Sequence, residues 1–286
     1  MEITEELVRG LLREQHPELA ELELREVIGG WGNQMWRLGD ELAVRMPRTE
    51  GAPELLLKEH RWLPELAPRL PLPVPTPVRL GVPSERFPRT WLVTEWVAGE
   101  PADRTPISAE AAAETLASFL RALHVEAPAD APLSPDRGRP MRTLALGFDE
   151  VLDQVAAGDD VREVWADAVA APEWDGPPVW LHGDLHPANV VVADGTLAGV
   201  IDFGEVCAGD PAGDLAAAWV LLPEGAAKAF FDAYPVDEAT IRRARGWAAG
   251  RSLFLIAMGI NGDRGLPGGK PTWGPAGHRA LERLLA

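Results

Sequence analysis

A chain of 286 residues, 46% of them hydrophobic, is long enough for one large or two ordinary domains with a sizeable core. A formal net charge of −17 excludes the basic face that nucleic-acid binding needs. The single cysteine, Cys207, excludes an internal disulfide framework and fits a reducing cytosol.

The chain opens with the acidic run Met1-Glu2-Ile3-Thr4-Glu5-Glu6, which is neither a signal nor a transit peptide. No apolar run approaches the roughly 20 residues of a membrane helix, so a cytoplasmic protein without a membrane partner is expected. Leu7, Val8, Leu11 and Leu12 share one face of a predicted helix over 4–15, with Thr4 as its cap. Leu22 to Ile28 alternates apolar and charged residues as a half-exposed strand does. Gly29-Gly30-Trp31-Gly32-Asn33 then reads as a turn, and Trp36-Arg37-Leu38 and Leu42 to Met46 as strands around Gly39-Asp40. Glycines let backbone amides approach anionic oxygens, so Gly30, Trp31, Gly32 and Asn33 are candidates to cradle phosphate. A plain hairpin turn is the other reading.

Leu55 to Leu66 has a helical pattern with Glu59 at its centre. Pro68, Pro71, Pro73, Pro75 and Pro77 exclude helix and predict an extended connection. Val78 to Val82 and Thr90 to Val97 read as strands, the second ending at Ala98-Gly99-Glu100-Pro101. From Thr105 the pattern becomes helical. One helix, starting at Thr105 or Ser108, is predicted to reach His124, with Leu116, Phe119, Leu120 and Leu123 inward. After a proline-rich loop, Phe148 to Val169 reads as one acidic helix. Asp149 and Asp153 stand at i and i+4, where like charges cost helix stability, so a cationic partner is one reading and a solvated face the other. Residues 106–286 carry 26 acids against 14 bases, a balance that could attract a cationic substrate.

The most informative stretch runs from Trp180 to Asp214. It reads Trp-Leu-His182-Gly-Asp184-Leu-His186-Pro-Ala-Asn189-Val-Val-Val, then Asp194-Gly195, then Val-Ile-Asp202-Phe-Gly-Glu205, then Gly209-Asp210-Pro211 and Asp214. Asp194-Gly195 suits a tight hairpin between Val190–Val192 and Leu197–Ile201. Such a hairpin brings Asn189 and Asp202 together at one end, and two converging oxygen ligands suit Mg²⁺. Further helices are predicted over 215–222, 224–233, 237–260 and from Gly277 to the end, with Asp263 in a loop between the last two. Strands come first and helices second, without internal repeats, so the fold class is α+β.

His182-x-Asp184-x4-Asn189 followed by Asp202-Phe203-Gly204 resembles the catalytic loop and metal motif of protein-kinase-like folds. The fuller form, with Gly-Asp-Pro-x-x-Asp-Leu after it, is similar to the aminoglycoside phosphotransferase superfamily, which includes macrolide phosphotransferases. The resemblance implies a bilobal fold. Residues 1–97 would form an antiparallel-sheet, nucleotide-binding lobe, and residues 98–286 a helical lobe with the catalytic loop and acceptor site. It implies Asp184 as the base that orients a substrate hydroxyl, and Asn189 and Asp202 as ligands of Mg²⁺. Arg45 and the amides of Gly30 to Asn33 would hold the phosphates of ATP or GTP, with Glu59, or else Glu54, paired to Arg45. Glu95 C=O and Val97 N–H would meet the purine, and His182 and Asp214 would brace the loop. His186 would contact the transferring phosphate or make a loop hydrogen bond. Asp149, Asp153, Glu205 and Asp263 are candidates for a cationic small-molecule acceptor. Two departures stand out. Arg45 occupies the place of the protein-kinase lysine, so it either holds phosphate as a planar fork or only pairs with a carboxylate. Met35 stands where a third glycine would be. The implied activity is phosphoryl transfer from ATP or GTP to a hydroxyl of an antibiotic-like molecule of aminoglycoside or macrolide type. The alternatives are a metabolic kinase for a sugar, choline or similar hydroxyl, and a nucleotide-binding pseudokinase. The presence of Asp184, Asn189 and Asp202 speaks against the last.

Overall fold

The computed structural model describes residues 2–27, 30–144 and 148–286. The chain forms two compact units: Met1–Pro68, Pro73–Ala98 and Ile201–Glu205 in the first, Arg69–Leu72, Gly99–Val200 and Val206–Ala286 in the second. A single boundary after residue 97 therefore does not describe the division. The first unit takes back five residues, Asp202 among them, from far along the chain.

In the first unit, α1 (Glu5–Gln15) begins where the Thr4 hydroxyl accepts the Leu7 N–H at 3.3 Å, and it buries Val8, Leu11 and Leu12. Strands β1 (Leu24–Val27), β2 (Asn33–Leu38) and β3 (Leu42–Pro47) precede α2 (Ala52–Leu66), β4 (Pro77–Gly81) and β5 (Trp91–Glu95). Helix α2 starts three residues before the expected Leu55 because Pro53, in its first turn, is pre-set for helical φ and owes no N–H there. The sheet order is β1-β2-β3-β5-β4, antiparallel throughout. Leu11, Leu12, Leu38, Met46 and Trp91 fill the core between α1 and the sheet. Gly81 is required there, since a Cβ would lie 1.9 Å from the Trp91 ring.

The second unit holds β6 (Glu100–Pro101), α3 (Ala112–Leu123), α4 (Phe148–Val155), α5 (Asp159–Ala170), β7 (Val179–Leu181), β8 (Val190–Ala193), β9 (Thr196–Val200) and β10 (Cys207–Gly209). Helices α6 (Ala212–Leu215), α7 (Ala217–Val220), α8 (Ala226–Ala233), α9 (Glu238–Asp263) and α10 (Trp273–Leu285) complete it. Strands β6, β8 and β9 form one small antiparallel sheet, and β7 pairs with β10. Helix α9, capped by the Asp237 carboxylate on the Thr240 N–H at 2.7 Å, is the hub on which α4, α5, α6, α7 and α10 pack.

Helix α9 runs on through Asp263, expected in a loop, and α10 begins at Trp273 and not at Gly277. Three further expected elements differ. The helix expected from Thr105 or Ser108 begins only at Ala112, because the N–H groups of Ser108 and Ala109 donate to Gly195 C=O at 2.9 and 3.0 Å. That stretch holds the β8–β9 turn instead of winding. The long acidic helix is two, α4 and α5, separated where Ala156 takes φ 53°, a left-handed backbone that ends a helix. The helix expected over 215–222 is the pair α6 and α7. Among the described residues, no helix is long and apolar enough to cross a membrane.

Candidate active site

The first unit supplies a glycine turn and a buried charge triad. Gly30 takes φ 74°, and a Cβ there would lie 2.5 Å from Asn33 C=O, so the turn between β1 and β2 needs glycine. Arg48 ties this turn down. Its backbone N–H donates to Gly32 C=O at 2.7 Å, and its guanidinium donates to the carbonyls of Gly30 and Asn33 at 3.1 and 3.0 Å. Trp31 at the tip is 52% exposed. The predicted turn also includes Gly29, which lies outside the described residues.

Arg45 on β3 donates from Nη1 to both carboxylate oxygens of Glu59 on α2, each at 2.6 Å, and from Nη2 to Asp202 Oδ1 at 3.0 Å. Arg45 and Glu59 are buried, whereas the Asp202 side chain is 52% exposed. Burial by itself would lower the Arg45 pKa, but Glu59 and Asp202 together raise it, so the guanidinium is always charged. Burial pushes Glu59 up and Arg45 opposes it. The two 2.6 Å bonds are those of an ionised carboxylate gripping a cation. Of the two readings of Arg45, carboxylate pairing is thus present here, and with two partners. Asp202 itself takes φ 64°, an uncommon backbone for a residue other than glycine. The next turn, Phe203–Glu205, packs against α2, where Glu205 lies 3.8 Å from Lys58. At the end of β5, Glu95 N–H donates to Thr76 C=O and Trp96 N–H to Glu41 C=O, which fixes the strand end that carries Glu95 C=O and Val97.

The second unit supplies the loop after β7. Asp214, buried on α6, accepts the backbone N–H of His182 at 2.7 Å and of Gly183 at 3.0 Å. Its Oδ2 also lies 3.3 Å from His124 Nε2, and His124 Nδ1 is 2.8 Å from the Tyr234 hydroxyl. Burial alone would raise the Asp214 pKa, but His124 first, and then His182, outweigh it and hold the carboxyl below its ordinary range. Gly183 takes φ 81°, which turns the chain so that the Asp184 N–H donates to His182 Nδ1 at 3.1 Å. The expected bracing pair His182 and Asp214 therefore sets the backbone from which Asp184 projects.

Asp184 is ringed by cations and donors. Arg251 Nη1 lies 2.5 Å from Oδ1, Arg137 Nη2 lies 3.7 Å from the same oxygen, and His186 Nε2 lies 3.4 Å from Oδ2. His186 Nδ1 accepts the Ala188 N–H at 3.3 Å, so the proton sits on Nε2 and faces Asp184. Asn189 donates its amide N–H to Asp184 Oδ2 at 3.2 Å and to Asp184 C=O at 2.9 Å. That leaves the Asn189 amide oxygen as the end that suits a cation. Burial works to raise the Asp184 pKa, but Arg251 first, then His186 and Arg137, hold it well below the ordinary carboxylate range. The β8–β9 hairpin turns at Asp194 (φ 50°) and Gly195 (φ 77°), the pair of left-handed residues a type I′ turn needs. With Val190 opposite Val200, Asn189 and Ile201 leave the hairpin at the same end, one residue before Asp202.

Asp149 and Asp153 are exposed on α4 and both face Arg162 of α5, the first in a close ion pair and the second at 3.9 Å. Asp263 is the exposed last residue of α9. Sequence reasoning missed Arg137, Arg251 and the role of His124. The signal for Arg251 was the spacing Trp247, Arg251, Phe254 along one helix face. Arg137, in a proline-rich loop, offered none.

A family model described as the phosphotransferase enzyme family matches residues 23–251. An aminoglycoside 3'-phosphotransferase of Escherichia coli is 28% identical over 224 residues, 67% of this chain and 78% of that one. Among solved structures, the GDP and kanamycin complex of APH(2")-IIia is similar with a TM-score of 0.71 at 19% identity, covering 98% of both chains. The macrolide 2'-phosphotransferase MphH from Brachybacterium faecium is similar with a TM-score of 0.62 at 22% identity, covering 95% of this chain and 97% of that one. The likeness to these structures is one of fold: α+β, with an antiparallel-sheet N-terminal region and a helical C-terminal region, as in protein-kinase-like phosphotransferases.

Proposed function

The chain belongs to the phosphotransferase enzyme family, and from that premise we propose that it moves the γ-phosphate of ATP or GTP to a hydroxyl of an antibiotic-like small molecule. The observation that carries this reading is Asp184. A carboxylate held ionised by Arg251, Arg137 and His186, on a loop braced by Asp214, is poised to orient a hydroxyl and accept its proton. The names of the relatives, aminoglycoside and macrolide phosphotransferases, support the acceptor class.

In this mechanism the acceptor hydroxyl oxygen attacks the γ-phosphorus, the bond to the leaving nucleoside diphosphate breaks, and the proton passes to Asp184. Phosphoryl transfer of this kind rests on placement and charge neutralisation more than on covalent chemistry. Asn189 through its amide oxygen, and Asp202 through the oxygen Arg45 leaves open, are the residues that would hold Mg²⁺. Two protein oxygens fit that ion, which takes its remaining ligands from water and phosphates. Mg²⁺ bound there would neutralise phosphate charge. Gly30 to Asn33 would face the phosphates with backbone N–H groups, Arg45 would add its charge, and Glu95 and Val97 would meet the purine with backbone groups.

The test is transfer itself. Wild type incubated with nucleotide and a panel of hydroxylated antibiotics should yield a product heavier by one phosphate. Asp184→Ala should lower turnover by about 10²- to 10⁴-fold while nucleotide affinity stays within a factor of about two. Transfer at the wild-type rate by Asp184→Ala would remove this residue from the mechanism.

A further inference from the structure

The second unit contains a cavity of about 410 Å³, within the range of small-molecule pockets. Its wall is aromatic: Phe148 and Trp165 stack at 4.1 Å between ring centres, and Trp247 and Phe254 line it from α9. Its charged lining is Asp136, Arg137 and Arg251. Two separate paths join it to the base. Arg137 and Arg251 both reach Asp184 Oδ1. Phe254 lies 6.2 Å from the Trp273 ring, which meets His186 edge-on at 4.7 Å, and His186 faces Asp184. A molecule in this cavity lies beside the base.

The charge of that lining selects the molecule. Asp136 is the only acid on the cavity wall among the described residues, and it is held by Arg137 at 2.8 Å and by the Ser134 hydroxyl. Asp184 is already matched by two arginines. Among the described residues no carboxylate of the wall is left over to neutralise a bound ammonium, and Asp149 and Asp153 point to Arg162 instead of lining the cavity. An ammonium group entering here would lose its water and meet only charges that are already paired, a costly exchange. A flat apolar ring loses nothing and gains contact with four aromatic side chains. Phe254 is 42% exposed, so part of that aromatic surface lies open.

Resting on the phosphotransferase reading, we propose that this cavity seats the acceptor and takes a hydroxylated aromatic compound that is neutral or carries a single negative charge, not a polyammonium sugar. The transferred group and its balance are unchanged: the acceptor oxygen gains the phosphoryl, the nucleoside diphosphate leaves, and the proton goes to Asp184.

The test is calorimetric titration of the full chain with three probes: 4-nitrophenyl β-glucoside, its anionic counterpart 4-nitrophenyl β-glucuronide, and kanamycin. Both aryl sugars should bind at least about tenfold more tightly than kanamycin, a difference of about 1.4 kcal/mol. Trp165→Ala and Phe254→Ala should each weaken the aryl probes about three- to tenfold, the usual worth of one aromatic contact. Titration of Mg²⁺ and ATP into the same three proteins should be unaltered, which also reports that the variants are folded. Kanamycin binding as tightly as the aryl sugars, no aryl binding at millimolar concentration, or aryl binding indifferent to both substitutions would each overturn the proposal. Such failures with nucleotide binding intact would strike the acceptor assignment alone. Loss of nucleotide binding by wild type would strike the phosphotransferase reading.

Discussion

Asp184 shows how much a single carboxylate depends on its neighbours. Its low pKa comes chiefly from Arg251, so removing that cation should move the pKa toward the ordinary carboxylate range. In Arg251→Gln the acid limb of the kcat/KM profile should therefore shift to higher pH, and kcat at neutral pH should fall. A profile whose acid limb does not move, measured with the same acceptor, would separate Arg251 from the base. Arg45 and Glu59 make a different case. They form a buried ion pair, and removing one partner of such a pair leaves an uncompensated charge. Glu59→Ala should lower unfolding free energy by about 3–5 kcal/mol in a denaturant titration, well beyond the effect of an exposed pair such as Arg9–Glu5.

At the scale of elements, the loop that carries Asp184 is held from behind by buried polar groups. Asp214 on α6 receives two amides of the loop, and His124 at the end of α3 and Tyr234 at the end of α8 complete the chain behind it. Because the folded pKa of Asp214 is depressed, its contribution is fully present above the unfolded value of about 3.9 and is lost as pH falls through the folded one. Asp214→Asn should thus melt lower than wild type at pH 7, by about 1–3 kcal/mol in stability, and the gap should narrow below about pH 4. A gap that widens with acid would contradict the sign. The same unit has a backbone contact that tolerates no side chain. A Cβ on Gly209 of β10 would lie 2.4 Å from Gly138 C=O, next to the Arg137 that faces Asp184. Gly209→Ala should cost about 1–3 kcal/mol by forcing that loop away, and it should lower kcat as well. A pure stability loss with normal kcat would show that the loop does not position Arg137.

For the whole molecule, the sharpest discrimination is between two carboxylates of one motif. A ligand that binds only the folded state at a hundredfold excess over Kd stabilises it by about 2.7 kcal/mol. At this chain length that corresponds to a rise in Tm of about 4–5 °C. Wild type should show the larger rise with nucleotide plus Mg²⁺. Asp184→Asn should keep the Mg²⁺-dependent part, and Asp202→Asn should lose most of it. The reverse pattern in thermal melts would exchange the two roles. Charge acts at this scale too. The chain is strongly acidic, yet the cavity beside Asp184 carries two arginines and one acid. Net charge alone is therefore no guide to the charge of that wall.

Much of this was legible in the residues, where local physics decides. Thr4 announced a helix start because its side chain caps the first turn, and Asp194-Gly195 announced a hairpin because both residues tolerate left-handed backbone. Asp184, Asn189, Asp202 and Asp214 were legible as a set because they fall within one short stretch at fixed spacing. The helix breaks were not. Ser108 and Ala109 have helical neighbours, and only a carbonyl 86 residues on, that of Gly195, keeps their amides out of a helix. Nor was the identity of the cations around Asp184, since Arg137 and Arg251 approach it from 47 and 67 residues away. The acidic α4 face offered a cation site or a solvated face in one dimension, and in three the turn at Ala156 brings Arg162 alongside Asp149 and Asp153. The sequence by itself determined which atoms could do phosphoryl chemistry. Tertiary packing decided which charges surround them, because the range of an ion pair is a few ångströms in space and has no fixed length along the chain.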